Sequence, residues 1–340
     1  MNNKITIKDI AQIANVSIAT VSNVMNGTGR VSSTTSAKVN KVIQEMNFAP
    51  SASARNLKDK KSHLIAVVVP LLEKGMIQDN PFYWELVRGV EKGARNHQVQ
   101  IMLLGIDETE NFSFVKTRHL DGLIVVGVFE RSSSYEQILN LGVPCVFLDS
   151  YLSDPELHQV CLDDEAGGYL GTKHLLGLGH QNIAILTGKL QEGGVNYFRY
   201  QGYLRALREN GITKNDKLVF EESSSIQGGY QAAQKVSSYA DGISAIFAFS
   251  DVSAMGLIRG LYDMGWAVPR DISVVGFDDI FYTQYMIPSL TTISQDVAHK
   301  GKVAVTMLLD QIDGITCNDK YITVPVSLVV RQSTISNTKG

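Results

Sequence analysis

A chain of 340 residues is too long for one ordinary domain, and two or three are expected. Its 44% hydrophobic content and essentially zero mean hydropathy allow a sizeable core, while no run approaches the ~20 apolar residues a membrane span needs. The net charge of −3 hides an asymmetry: residues 1–62 carry nine Lys and Arg against three acids, leaving the remainder nine negative. A basic module on an acidic body is the footprint of something that docks on phosphates at one end, although a solvated basic face gives the same tally.

Cys145, Cys161 and Cys317 are isolated, with no C-x-x-C pair, so neither a zinc framework nor a disulfide scaffold is expected. The seven His residues show no metal-ligand spacing, and no metal or cofactor is expected. Met1 to Thr6 contains no apolar h-region, so the reading expects no secretory signal and a cytoplasmic location.

In chain order, Thr6-Ile7-Lys8-Asp9 reads as a helix start, with Thr6 as cap and Asp9 three residues on. Ile10, Ile13 and Ala14 fall on its apolar face. Asn15-Val16 breaks that helix, and Ser17 caps a second running from Ile18 to about Met25, with Val21, Val24 and Met25 inward. A third begins at Val31-Ser32-Ser33, with Val39, Val42, Ile43 and Met46 at helical spacing. Three short helices with a tight turn between the first two make a helix-turn-helix, whose second helix enters a major groove.

Residues 50–62 are basic, poor in core formers, and contain one large apolar residue, Leu57. The segment is too short to be helical alone. A lone Leu in a charged run suits a wedge between base steps; packing of Leu57 on the body is the competing reading.

From His63 the pattern alternates between strand and helix. Expected strands are Leu64–Val69, Gln100–Leu104, Gly122–Val126, Cys145–Leu148, Ile183–Thr187, Leu218–Glu221, Ala245–Phe249 and Ser273–Gly276. Helices fall between them, including Trp84–His97, Gly168–Leu178, Tyr200–Asn210, Gly228–Tyr239 and Ser253–Met264. Repeated βα units imply parallel sheets covered on both faces, and their number implies two subdomains. Ligands of such folds bind beyond the carboxyl ends of strands, so a cleft between two subdomains is the expected site. Polar residues just after strands are its candidates: Asp149, Ser250, Asp251 and Asp278, with Arg199 at the opening of a helix. Carboxylates and a guanidinium converging there can fork onto adjacent sugar hydroxyls. Phe82, Tyr83 and Trp84 offer flat faces for a ring, while Phe82 and Trp84 could equally belong to the core. Asp149 as a plain loop carboxylate, and Arg199 pairing with Asp278, also remain open. Asp251 and Asp279 are read as helix caps.

The string Ala14-Asn15-Val16-Ser17-Ile18-Ala19-Thr20-Val21-Ser22-Asn23, with Thr6 to Ala11 before it and Pro50 to Leu57 after it, resembles the lactose-repressor/galactose-repressor family of bacterial regulators. So do Gly179-His180-Gln181-Asn182-Ile183-Ala184, Arg199-Tyr200-Gln201-Gly202-Tyr203, Val268 to Asp279, Pro288 to Ile293 and Arg331-Gln332-Ser333-Thr334. The resemblance spans essentially the whole length. It implies an all-α helix-turn-helix headpiece (1–49), a hinge helix (50–62), and an α/β periplasmic-binding-protein-like body (63–340) of two doubly wound parallel-sheet subdomains. These subdomains would take about 63–162 plus 293–321, and 163–292 plus 322–335. A helix between Ile106 and Thr117 would be shortened.

By the same resemblance Ile18, Ala19 and Asn23 read base edges, and Thr6, Ser17, Thr20, Ser22 and Asn26 contact phosphates. Ala54, Arg55 and Leu57 work in the minor groove, and Phe82, Trp84, Asp149, Arg199, Ser250 and Asp278 hold an effector. Core packing is the alternative for Ile18. Two positions depart from the family pattern. Asn23 stands where many relatives have Arg, which implies a shift from guanine toward adenine, and Ser250 replaces the usual Asn. The partners implied are operator DNA, a small-molecule effector of sugar type and a second copy of the chain, in a homodimer; no membrane is expected. The sequence shows no nucleophile elbow, phosphate loop or dinucleotide fingerprint, so no catalytic residue is expected. The readings kept beside the regulator are a free sugar-binding protein and a regulator driven by a corepressor or phosphorylated carrier protein.

Overall fold

In the computed structural model of the chain, the described residues are 5–48, 61–70, 80–106, 112–130, 132–239, 242–316 and 319–337. They fall into two compact units, one up to Ser62 and one from His63.

The first unit is helical: α1 (Ile7–Ala14), α2 (Ile18–Asn26) and α3 (Ser33–Glu45). Each start is fixed locally. The Asp9 carboxylate accepts from the backbone N–H and the hydroxyl of Thr6 at 2.7 and 2.8 Å. The Ser17 and Ser32 hydroxyls accept from Thr20 N at 3.0 Å and Thr35 N at 3.2 Å, satisfying N–H groups left open at the helix ends. Asn15 and Gly27 close α1 and α2 in the left-handed conformation. Ile10, Ala11, Ala14, Val21, Val39 and Val42 form the core. Ile13, expected inside, is half exposed; Ala11 takes the inner position, because the packed face of so short a helix is set by Ile10 and Ala14.

The second unit is built of βα repeats. It begins with β1 (Leu64–Pro70), α4 (Pro81–Arg95), β2 (Gln100–Ile106), α5 (Ser113–Thr117), β3 (Gly122–Val126), α6 (Ser133–Leu139), β4 (Cys145–Leu148) and β5 (His158–Leu162). Then come α7 (Asp164–Gly177), β6 (Ile183–Thr187), α8 (Val195–Glu209), β7 (Val219–Glu221), α9 (Ile226–Ser237), β8 (Ala245–Ala248), α10 (Asp251–Asp263), β9 (Ser273–Asp278) and β10 (Thr291–Gln295). The chain ends with α11 (Val297–Ile312), β11 (Tyr321–Val324) and β12 (Val326–Val329).

The strands form two six-stranded sheets, ordered β11-β5-β4-β3-β1-β2 and β12-β10-β9-β8-β6-β7. All pairings are parallel except β10 with β12. Fully buried strands such as β3 (GLIVV) and β6 (IAILT, polar only at its last residue) are apolar runs, as strands covered on both faces tend to be. The chain passes between sheets after β5, after β10 and again between β11 and β12. The last two passages follow Gln295 and Val324, three residues beyond the subdomain limits 292 and 321 read from the sequence. α5, in the stretch expected to be shortened, has five residues.

Close helix packing sets the site. A Cβ on Gly168 of α7 would lie 1.9 Å from the backbone oxygen of Arg199, so glycine is what lets α8 approach and carry the Arg199 side chain inward. Among the described residues no helix is long and apolar enough to cross a membrane.

Candidate functional site

In the headpiece, Ile18 and Ala19 are exposed side by side at the start of α2. Ile18 is 45% exposed, which removes the core-packing reading for it. Thr20 stands beside Ser17, hydroxyl to hydroxyl at 2.9 Å, on the same helix start. Asn23 is half-buried, and its amide lies against the Gly29 turn, where an added Cβ would come within 2.9 Å of Nδ2. Thr6, exposed at the start of α1, and half-buried Ser22 complete the described members of the set. The open N–H groups and positive end of the helix dipole at Ser17 suit a phosphate oxygen. The side chain of Asn26 and the hinge residues Ala54, Arg55 and Leu57 lie outside what is described.

In the body, Asp149, Arg199, Ser250 and Asp278 are all buried. Asp149 follows β4 and Asp278 ends β9, so one comes from each sheet. Both have positive φ, 50° and 117°, a conformation non-glycine residues rarely adopt and which clusters at functional sites.

Four side chains that sequence reasoning missed join them. The Lys300 ammonium donates to Asp149 Oδ2 at 2.7 Å and to Gln295 Oε1 at 3.0 Å. Gln295 Nε2 donates to Asp278 Oδ1 at 2.7 Å. Asp278 faces Arg199 Nη2 at 3.9 Å, while Arg199 Nε donates to Asp164 at 2.6 Å and its Nη1 to the Phe249 carbonyl. The Tyr151 hydroxyl, with one hydrogen to give, has the Leu162 carbonyl at 2.8 Å and the Asp164 carboxylate as its acceptors. One connected run of polar groups thus crosses from the first sheet to the second.

The main partner of Arg199 is therefore Asp164, with Asp278 the looser one. Arg199 lies in the second turn of α8 rather than at its opening, and its guanidinium stacks 3.6 Å from the centre of the Phe277 ring. A signal for Lys300 existed: it falls with Val297, Gly301, Ala304 and Leu308 on the buried stripe of α11.

The caps expected at Asp251 and Asp279 are corrected. Ser250 caps α10, accepting from Ser253 N at 3.3 Å and donating to Ser253 Oγ at 2.8 Å. Asp251 is instead a fully buried tie, accepting from Ile280 N at 2.9 Å and Thr292 Oγ1 at 2.6 Å. A Cβ at Gly276 would stand 2.2 Å from that carboxylate. Asp279 pairs with Arg331 at 2.6 Å. Phe82 is half-buried beneath the Lys300 ammonium, 4.9 Å from its ring centre. Trp84 is 57% exposed, so it is not core, and the described contacts do not bring it into the cluster.

Burial pushes the Asp278 carboxyl up to about 6 against the pull of Arg199, Gln295 and Lys300. Burial, with the Asp278 charge, drives Asp251 well above the carboxylate range. Tyr83 is raised by burial and by the charges of Asp149 and Asp278, so its phenol stays a neutral donor beside them. The arrangement offers carboxylate acceptors, a phenol donor and aromatic faces at the carboxyl ends of two sheets. It can hold a polar ring by hydrogen bonds.

The "Bacterial regulatory proteins, lacI family" model matches residues 6–51, and a "Periplasmic binding protein-like domain" model matches residues 172–334. The ribose operon repressor of Haemophilus influenzae is 32% identical over 97% of this chain and 99% of its own length. The chain belongs to the lacI family of bacterial regulatory proteins. For this lacI-family chain two solved structures give the frame. A lac repressor dimer bound to operator and the anti-inducer ONPF superposes with a TM-score of 0.84 at 29% identity, over 98% of this chain and 100% of that one. A LacI-family regulator from Enterococcus faecium with bound ribose gives 0.71 at 30% identity, over 80% of this chain and 100% of that one.

Proposed function

We propose that this lacI-family regulator is a repressor whose operator affinity is set by a sugar held between the two sheets, with the sugar acting as inducer. The observation that carries the reading is the buried run through Asp149, Lys300, Gln295, Asp278, Arg199 and Asp164. It ties side chains of both subdomains together, so a ligand inserted there changes how they close. Such a ligand moves the equilibrium only by its difference in affinity for the two closures. The ribose-bound relative supports the ligand class.

Ile18, Ala19 and Asn23 read base edges in the major groove, with Thr6, Ser17, Thr20, Ser22 and Asn26 on phosphates. Ala54, Arg55 and Leu57 act in the minor groove from a hinge at 50–62, between a headpiece at 1–49 and the body. The direct effector contacts are Asp149, Arg199, Asp278 and Phe82, with Ser250 and Trp84 as outer members. The protein works as a cytoplasmic homodimer on a pseudo-palindromic operator, since two-fold symmetry calls for two half-sites. Phe281, Tyr282 and Tyr285 are exposed and in ring contact, and exposed Ile287 follows two residues on, an apolar surface suited to the second copy. The role is regulatory, without catalysis.

The test is fluorescence anisotropy of the full-length chain on operator recovered by selection from random duplexes, repeated with a panel of sugars. The expected result is tight binding released by one sugar and abolished in its response by Asp278→Asn. Operator binding that every sugar leaves unchanged would overturn the sugar-inducer reading.

A further inference from the structure

Arg199 and Lys300 are the buried cations among the described residues, and the protein itself engages both. Arg199 is held by Asp164 at 2.6 Å, by the Phe249 carbonyl and by stacking on Phe277. Lys300, 1% exposed, gives one N–H to Asp149 Oδ2 and another to Gln295 Oε1. Asp149 Oδ1 is left buried and without a hydrogen-bond partner. A buried carboxylate oxygen lacking a donor is costly, so it calls for a donor brought from outside. An ammonium carries three N–H groups and no acceptor, so the third N–H of Lys300 calls for an acceptor at the same place.

Resting on the effector reading above, we infer that Lys300 determines the charge of the effector. The cleft takes an uncharged polyhydroxylated ring, and rejects the phosphorylated or carboxylated forms of that ring. One hydroxyl donates to Asp149 Oδ1, and its neighbour accepts from Lys300. A hydroxyl both donates and accepts, so two adjacent ones meet a carboxylate oxygen and an ammonium side by side, with the Phe82 ring as an apolar floor. A phosphate or carboxylate brings acceptors alone. It would set its charge beside Asp149 and Asp278, where each buried cation already has its carboxylate.

Thermal melting of the full-length chain tests this with D-ribose, D-galactose and D-glucose, each beside its phosphate ester and its uronic acid, which keeps the ring and adds a carboxylate. The expected result is that one free sugar raises the Tm, while its anionic forms bind about a hundredfold or more weakly. In Lys300→Met the response to that sugar falls, and the matching 2-amino-2-deoxy sugar gains affinity, because its ammonium can enter between Asp149 and Gln295. An anionic form that binds as well as its parent overturns the inference and leaves the effector reading standing. A folded Lys300→Met that keeps the original preference and gains nothing from the amino sugar removes Lys300 from the role. Should that variant fail to fold, the wild-type comparison of neutral with anionic forms decides, and Lys300→Met with Asp149→Asn supplies a charge-balanced partner. If no compound of the panel shifts the wild type, the sugar reading itself falls, and this inference with it.

Discussion

The candidate DNA-reading helix and the candidate effector cluster are built in opposite ways. The described headpiece candidates stand between Thr6 and Asn23, in one stretch of chain, half-buried or exposed, and held by local caps. The cleft candidates run from Phe82 to Lys300, are mostly buried, and are held by one another. A surface reader can be changed without touching the fold. A buried charge is part of the fold, so changing it alters stability and recognition together.

Arg199→Met should sharpen that contrast most. It leaves Asp164 and Asp278 buried without their cation, and breaking such a pair costs about 3–5 kcal/mol. Urea unfolding followed by fluorescence reads this on the body transition. A loss below about 1 kcal/mol would mean the pair behaves like an exposed one, and the contrast would collapse.

Asp278 supplies the next effect, and its sign follows from proton binding. Its carboxyl is raised from 3.8 to about 6 by burial, so between those pH values the folded chain holds a proton the unfolded chain has released. Stability present below pH 4 is therefore lost as pH rises to about 6. Asp251, raised by burial and by the Asp278 charge, pulls in the same direction. Asp278→Asn should flatten the slope, and unfolding free energies at pH 4, 5, 6 and 7 measure the difference. Parallel profiles for the two proteins would place Asp278 in solvent.

On the headpiece side, Ser17→Ala removes the cap of α2 and should cost about 1 kcal/mol in the headpiece transition alone. Circular dichroism melting of the full chain checks whether the body transition stays put.

The same contrast explains what the sequence disclosed. The helix-turn-helix was legible because its caps and apolar spacing lie within a few residues of each other. Eight strands were legible as apolar runs. β10 was not, because Thr291-Thr292-Ile293-Ser294-Gln295 reads as polar. Its Thr292 hydroxyl is satisfied by Asp251, and its Thr291 backbone N–H by Ser333. β11 and β12 were hidden because Thr323 and Ser327 interrupt their apolar runs and the single residue between them, Pro325, reads as a break. Asp149 and Asp278 could be picked by following strands to their carboxyl ends, and Arg199 by its place near the start of a helix. Lys300 could not be placed by charge, since a lysine on a helix normally faces water. Its partner Asp149 is 151 positions away, and only the two sheets bring them together.

Asn23→Ala carries the smallest expected change in stability, within about 0.5 kcal/mol, since a half-exposed amide is removed and no apolar core is opened. Its effect should appear in operator choice. An Asn side chain can pair with both N6 and N7 of adenine, so the wild type should select adenine at one base pair of each half-site. Asn23→Ala should lose about 1–3 kcal/mol of discrimination there and nowhere else. Selection from a randomised duplex, run with both proteins, separates this from the other role the geometry allows. The amide lies against the Gly29 turn, so it could instead hold that turn in place. In that case Asn23→Ala would weaken binding to every sequence alike and lower the headpiece melting point, whatever base stands opposite. Discrimination lost at one base pair with the melting point unchanged makes Asn23 a reader. A uniform loss makes it a brace for the turn, and leaves Ile18 and Ala19 as the base-contacting pair.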